Sequence, residues 1–409
     1  MDSLGKMDSW GNLVSLGDYY RPTVAEISLD ALEHNVREFR RRLPDGTKLL
    51  ASVKANAYGH GAVESAKSAI AAGADYLGVA FLDEALQLRN GGVEAPILVL
   101  GYTPSEAFGL ARERGITLTL YRDDQLDAIA AMPTQGPKLK GHVKIDTGMG
   151  RLGVLPGADA ERFLDRACSL PQLDVEGMFT HYAKADETDK THALMQAERF
   201  RETAEYVRRR GLPISIIHAG NSAAGIDLPE RIGQMLRLGI GLYGLYPSEE
   251  VRKEEVELRP ALSLKTKLVH VKTVNPGEGI SYGARYVTSG TERVGTLPIG
   301  YADGFSRMLT GKAEVLLRGM RAPVLGTICM DQCMIGLSEI EAATGKPVEP
   351  GEEVVIIGRQ GDQVLTAEEV ALKLGTINYE VTCMLAARVP RVYVRGGNAT
   401  SVANPLISG

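Results

Sequence analysis

From about Leu49 the chain alternates two textures of apolar and polar positions. Short β-branched runs are followed by longer stretches with helical spacing. The apolar runs are KLLASVKAN, DYLGVA, PILVLG, ITLTLY, KGHVKIDTG, DVEGMFTHYA, ISIIHAGN and MLRLGIGLYG, eight in all. Between them lie amphipathic stretches such as GAVESAKSAIAAG, FLDEALQLRNGG, RDDQLDAIAAM, ADAERFLDRACSL and THALMQAERFRETAEYVRRRG. Strands alternating with helices predict parallel βαβ units. Eight of them in about 200 residues is the count of a (β/α)8 barrel near the lower end of its usual size. An open doubly wound sheet is the rival, and the lack of G-x-G-x-x-G after the first run counts against it. A further helix is expected ahead of the barrel, opening at Asp30-Ala31-Leu32-Glu33 with Asp30 as its N-cap.

After about Glu255 the pattern changes. ALSLKTKLVHVKTV, RVGTLPIGYADG, KAEVLLRGMRAPVLGTICM, EEVVIIGRQGDQV and RVPRVYVRGG read as strands, separated by turn signals such as Asn275-Pro276-Gly277, Asp303-Gly304 and Pro350-Gly351. Leu262, Leu264, Thr266 and Leu268 alternate with Ser263, Lys265, Lys267 and Val269, and one helical piece, TAEEVALKLG, interrupts. The expected fold class is therefore α/β: an N-terminal TIM-like (β/α)8 barrel with a C-terminal mostly-β, largely antiparallel domain. The expected bounds are an extension over 1–22, the barrel over 23–255, the β domain over 256–395 and a tail over 396–409.

Composition narrows the class without choosing a function. Of 409 residues, 44% are hydrophobic and 24% charged, and the net charge of -5 carries no nucleic-acid footprint. No apolar run is long enough for a membrane span, and the first residues lack a signal-peptide pattern. The four cysteines, Cys168, Cys329, Cys333 and Cys383, suggest no disulfide framework and a reducing, cytoplasmic setting. Cys329 and Cys333 have no second Cys or His pair nearby, so no metal site is expected.

Barrel chemistry sits where strands end. The first run ends at Lys54, with Asn56 and Tyr58 beyond it. The fifth ends in KIDTGMGRLG, which supplies Lys144, Asp146 and Arg151. The sixth ends in Thr180-His181, the seventh in His218-Ala219-Gly220-Asn221-Ser222, and the eighth carries Arg237 ahead of Gly239 and Ile240. Each has a plain alternative: a solvated lysine, a structural histidine, a glycine-rich loop, or Ser222 as an ordinary N-cap. Five strands delivering polar groups to one rim weaken those alternatives, because clustered cations need an anion. Glycine-containing turns at 220–222 and 238–240 are candidate phosphate seats. A phosphate there and a lysine on the first strand suit a phosphorylated aldehyde, pyridoxal phosphate (PLP), with Lys54 as its covalent partner.

From Tyr20 to Val394 the chain resembles the bacterial alanine racemases, two-domain PLP enzymes. ASVKANAYGHG, KIDTGMGRLG, THYAKADE, HAGNSAA, RLGIGLYG, ISYGARY, GYADG, CMDQ and TINYEVTCML stand in order. The resemblance implies interconversion of L- and D-alanine, with D-alanine supplied for peptidoglycan. It implies that Lys54 anchors the cofactor, that Tyr58, Ser222, Gly239, Ile240 and Tyr379 hold its phosphate, with Asn221 and His181 also at the cofactor, and that Arg237 faces the pyridine nitrogen. Arg151 and the Met330 N–H would contact the substrate carboxylate. Lys144 would be carbamylated and would pair with Arg151. His218, Tyr301 and Asp331 would support the site. Lys54 and Tyr282 would be the two bases, with Tyr282 and Met330 reaching the site from the partner of a homodimer.

Two bases on opposite faces avoid swinging one base round the substrate. A phenol, with an ordinary pKa of ~10, needs nearby positive charge to work near neutrality, and His181 and Arg237 are the expected sources. Arg237 cannot accept a hydrogen bond, so it would leave a pyridine nitrogen unprotonated and favour fast reprotonation over transamination. The alternatives are a broader racemase acting on serine, a PLP decarboxylase on a related barrel, and a non-catalytic PLP carrier. Tyr301 and Tyr379 argue for a small pocket, and the second base argues against a carrier.

Overall fold

All eight expected barrel strands form. The computed structural model describes residues 19–407. After a first strand, β1 (Val24–Ser28), come β2 (Lys48–Ser52), β3 (Tyr76–Val79), β4 (Ile97–Val99), β5 (Ile116–Leu120), β6 (Leu139–Lys144), β7 (Leu173–Phe179), β8 (Ile216–His218) and β9 (Met235–Leu238). Strands β2 to β8 pair in sequence order, every pair parallel, and β9 pairs parallel with β2. Between β8 and β9 the ring is closed by an antiparallel bridge, His218 to Gly233, and by the Arg237 N–H donating to the Gly220 carbonyl at 3.1 Å. Helices follow the strands, among them Ala62–Ala71, Leu82–Asn90, Asp123–Ala130, Ala158–Ser169 and Thr191–Arg210. Leu50, Tyr76, Leu98, Ile216 and Met235 pack as one cluster from five strands. Apolar filling of this kind leaves polar side chains to the strand ends.

The helix ahead of the barrel runs Leu29–Arg42 and buries Leu32, Val36 and Phe39. Asp30 is not its N-cap. It lies inside the first turn, and its Oδ2 accepts from the Gly396 N–H at 2.6 Å. The sequence pattern missed β1, which ends at Ser28, and the helix begins directly after it, two residues earlier than expected.

Contacts divide the described residues into two units, 31–57 with 62–259, and 19–30 with 58–61 and 260–407. The second unit is built on a sheet that is eleven-stranded among the described residues. Its strands pair antiparallel except where β1 runs parallel to Arg391–Arg395. Strand Leu262–Lys267 alternates buried and half-buried positions as expected, and the helix Ala367–Leu374 forms with Thr366 as N-cap. Two expected bounds shift. Strand β1, placed within the barrel by its position in the chain, lies in this sheet, and the tail contains a strand, Asn398–Ala403, paired to Arg391–Arg395. The first is a long-range pairing that local spacing does not encode; the second is a local hairpin turned at Gly396-Gly397, both at positive φ, a signal the sequence carried. Among the described residues no helix is long and apolar enough to cross a membrane, and all four cysteines are free thiols.

Residues 58–61 also belong to the sheet unit. The Gly59 carbonyl accepts from Arg391 Nε at 3.0 Å, and a Cβ on Gly59 would lie 2.0 Å from the Thr382 carbonyl oxygen. With φ at +87° and a backbone atom in the way, Gly59→Ala is expected to destabilise the protein by about 2–4 kcal/mol, read by urea or thermal denaturation.

Candidate active site

The segment after β2 is the least ordinary backbone in the barrel. Ala55, Asn56, Ala57 and Tyr58 all have φ between 52° and 54°, a left-handed helical turn made without glycine. Left-handed geometry costs about 1–2 kcal/mol per L-residue, so the turn persists only because its surroundings hold it. The Ala57 N–H donates to the Val53 carbonyl at 2.9 Å, and the Ala55 N–H to Glu84 Oε1 at 2.6 Å. Asn56 Oδ1 accepts from the Ala62 N–H at 2.9 Å. Lys54, half-buried, opens this turn. Sequence reading placed a turn here but missed its hand and the part Glu84 plays.

At the end of β6, Lys144 is buried, with its Nζ 4.3 Å above the Phe179 ring. Burial, then the charges of Arg237 and Arg151, hold its pKa well below the usual lysine value. The reading of Lys144 as a solvated lysine therefore fails. The following loop is wrapped around one carboxylate. Asp146 Oδ1 accepts from the N–H groups of Gly148, Met149 and Gly150 at 2.9–3.0 Å, and Oδ2 from that of exposed Arg151 at 3.1 Å. Burial alone would raise the Asp146 pKa, and these four bonds outweigh it and lower it. Asp146 is thus held by its own loop.

Arg237, 5% exposed, is pinned on several sides. Nη2 donates to the carbonyls of Thr180 and Ala219, both at 2.7 Å, and lies 3.1 Å from His181 Nδ1, while Nη1 lies 2.7 Å from His218 Nδ1. Burial pushes the guanidinium pKa down to about 9. His218 is stacked on Phe179, centroid to centroid 4.9 Å. Burial, then the positive charge of Arg237, depresses the pKa of both His181 and His218, and Lys144, Arg151 and Lys54 add to this at His181. His181 is thus a neutral imidazole, which corrects the expectation that it supplies positive charge. Behind His218 lies His142, which sequence reading missed. The signal was available, since His142 sits two residues before Lys144 on one strand and so shares its face.

Ser222 is not the N-cap of its helix, Ser222–Asp227; Asn221 is, its side chain accepting from the Ala224 N–H at 2.9 Å. Ser222 Oγ instead accepts from the N–H groups of Gly239 at 2.9 Å and Gly241 at 3.3 Å. The two expected phosphate seats are therefore brought together at one place, with buried Ile240 between the donors.

The sheet unit gathers the remaining candidates in two places. Tyr58 and Tyr379 lie with ring centroids 6.1 Å apart. Tyr282, Tyr301 and Met330 are all exposed large side chains, at 72%, 41% and 52%. Their backbones are tied together: Thr327 Oγ1 donates to the Tyr282 carbonyl at 2.8 Å, the Tyr301 N–H to the Cys329 carbonyl and the Ala302 N–H to the Met330 carbonyl, both at 3.0 Å. Asp331 accepts from Arg388 Nη2 at 2.5 Å. Arg388 Nε and Arg21 Nη1 donate to the fully buried Asp303 at 2.8 and 2.7 Å. Asp303, Arg388 and Arg21 were not foreseen as supports of this loop cluster. Among the described residues no group of three or more His, Cys, Asp or Glu is placed to hold a metal.

Comparison with known proteins places these features in a family. The family model for the alanine racemase N-terminal domain matches residues 27–247, and that for the alanine racemase C-terminal domain matches residues 261–393. The chain is 48% identical over 393 residues to the alanine racemase of Halalkalibacterium halodurans, covering 95% of this chain and 99% of that one. Among solved structures it resembles an alanine racemase of Clostridium difficile 630, with a TM-score of 0.88 at 43% identity over 94% of this chain and 98% of the other. It also resembles that of Bacillus anthracis with bound L-Ala-P, with a TM-score of 0.89 at 41% identity over 95% and 99%.

Proposed function

This chain belongs to the alanine racemase family and interconverts L- and D-alanine, and from that premise we propose that Lys54 and Tyr282 serve as bases on opposite faces of the substrate Cα. The observation that carries this reading is the barrel rim. Arg151, Arg237 and Lys54 bear on His181 beside the low-pKa amine of Lys144, while Asp146 is held by its own loop. Such a rim calls for anions, and pyridoxal phosphate with an amino-acid carboxylate supplies them. In this reading Lys54 holds the cofactor covalently. Tyr58, Ser222, Gly239, Ile240 and Tyr379 hold its phosphate, with Asn221 and His181 also at the cofactor, and Arg237 faces its ring nitrogen. When bound, the cofactor withdraws electrons from Cα and so acidifies the Cα proton.

The chain's own groups then divide the work. Arg151 and the N–H of the partner subunit's Met330 bind the substrate carboxylate, which orients the Cα–H bond across the two bases. The Lys54 amine takes or returns the proton on the D-face, and the Tyr282 phenolic oxygen does so on the L-face. Arg237, which cannot accept a hydrogen bond, places a fixed positive charge at the far end of the site. The exposed Tyr282, Tyr301 and Met330, linked through one loop cluster, support a homodimer in which the partner subunit's Tyr282 serves the site, a two-fold arrangement with two equal sites. The setting is the cytoplasm, and the product D-alanine feeds peptidoglycan synthesis. Deuterium exchange at Cα in heavy water, with chiral analysis of the product, tests the whole reading. Exchange without inversion would defeat it, as would no exchange at all, the result expected of a PLP carrier. Running the same analysis on L-serine shows whether specificity is broader.

Lys144 is the proposed carbamate. Its depressed pKa leaves a free amine, which adds to CO2 and releases a proton to give an anionic carbamate able to pair with Arg151. Protein equilibrated with 13C-bicarbonate is expected to show one carbamate carbon resonance that Lys144→Ala removes. A spectrum identical in parent and variant overturns the assignment.

A further inference from the structure

A line of polar contacts runs from Arg237 down the inside of the barrel to groups the mechanism does not use. Arg237 Nη1 meets His218 Nδ1 at 2.7 Å, and His218 Nε2 meets His142 Nδ1 at 3.0 Å. His142 Nε2, buried and without a hydrogen-bond partner, lies 3.6 Å from Glu176 Oε2, close enough for charge attraction but not for a hydrogen bond; the same oxygen accepts from the Tyr76 hydroxyl at 2.5 Å. Glu176 Oε1 lies 3.7 Å from Lys140 Nζ, which is half exposed. Both histidines and Arg237 are buried, while Glu176 keeps 19% of its side chain open.

The order of protons along this line has one solution. A guanidinium only donates, so His218 Nδ1 must be bare and its proton must sit on Nε2. That N–H donates to His142 Nδ1, so the His142 proton also sits on Nε2 and points at Glu176. The line therefore runs from a cation through two neutral imidazoles, polarised in one direction, to a carboxylate. Burial alone would raise the Glu176 pKa, but the nearby His142 ring, the Tyr76 hydroxyl bond and the Lys140 charge lower it to about 2, so the carboxylate is ionised at any working pH. A seat is cut for the middle member: a Cβ on Gly177 would lie 2.5–2.7 Å from three atoms of the His142 ring.

We propose that Glu176 is a positioning residue for racemisation: its charge favours a proton on the His142 nitrogen that faces it, which reinforces from the far end the order that leaves a bare His218 nitrogen against Arg237 and holds the guanidinium in place. An imidazole oriented by a carboxylate is a general means of aiming a charged group. The charge of Glu176 also partly balances a buried cation with few carboxylates near it. The groups that bear on the two rings are Arg237, Lys144, Lys140, Glu176 and each other. The link to catalysis rests on the role proposed above for Arg237, whereas the proton order does not.

The test uses the cofactor-loaded protein with 15N-labelled histidine; seven histidines keep the spectrum countable. His218 is expected to show a bare Nδ1 and a protonated Nε2, unchanged from about pH 6 to about pH 9, where an ordinary histidine titrates. In Glu176→Gln the two nitrogen shifts of His142 are expected to move together. The kcat for L-alanine should fall about tenfold with KM within about twofold, and Glu176→Asp should recover part of both. A proton on His218 Nδ1 in the parent overturns the proposal, and this measurement stands even if Glu176→Gln does not fold. Unchanged shifts in Glu176→Gln overturn it, as does a changed spectrum with unchanged kcat. A parent that exchanges no alanine proton defeats the racemase reading instead, and the spectrum still decides the proton order.

Discussion

Replacing Lys54 with alanine is expected to abolish racemisation from both L- and D-alanine, by roughly 10⁴-fold or more. The amine has two duties in the proposed site, holding the cofactor and moving the proton on the D-face, and neither can be taken over by a methyl group. Loss in both directions distinguishes Lys54 from a group that only binds substrate, whose removal raises KM and leaves kcat. The left-handed turn that follows is held by backbone, Asn56 and Glu84 contacts. The variant should therefore keep its circular dichroism and melting transition. Parent-like turnover in Lys54→Ala would remove the centre of the mechanism.

Tyr282→Phe carries the second large effect. Cα exchange from L-alanine should fall by roughly 10²–10⁴-fold, the usual contribution of a positioned base, while exchange from D-alanine should fall less. The Tyr282 side chain is 72% exposed, so losing its hydroxyl should change stability by no more than about 0.5 kcal/mol. Mixing the two inactive variants reveals which subunit supplies the phenol. If the partner subunit's Tyr282 serves each site, a mixed dimer has one intact site and one doubly defective site. Random reassortment then restores roughly a quarter of parent activity. If each chain serves itself, mixing restores nothing.

Local pattern carried the barrel a long way. Each β-branched run became a strand, and the reactive residues stood at strand ends because strand ends are where the interior opens. Lys144 and Arg237 were legible for that reason. Asp30, Ser222 and β1 were not. A capping pattern shows which side chains can bond an N–H but not which N–H is nearby, so Asp30 went to Gly396 and Ser222 to Gly239. The charge on His181 was misjudged because composition does not report burial, and burial beside Arg237 makes the ring neutral.

The order of polar and apolar positions, by itself, determined that this protein has eight alternating strands and helices, a β-rich second half and a set of cations where the strands end. These follow from period and spacing, which are properties of neighbours in the chain. Only the tertiary structure decided the hand of the turn after Lys54, the occupation of Asp146 by its loop, and the run of contacts from Arg237 to Glu176. Those depend on residues tens to hundreds of positions apart, and whether a charge is kept, neutralised or paired there is set by burial and by distances that no local pattern contains.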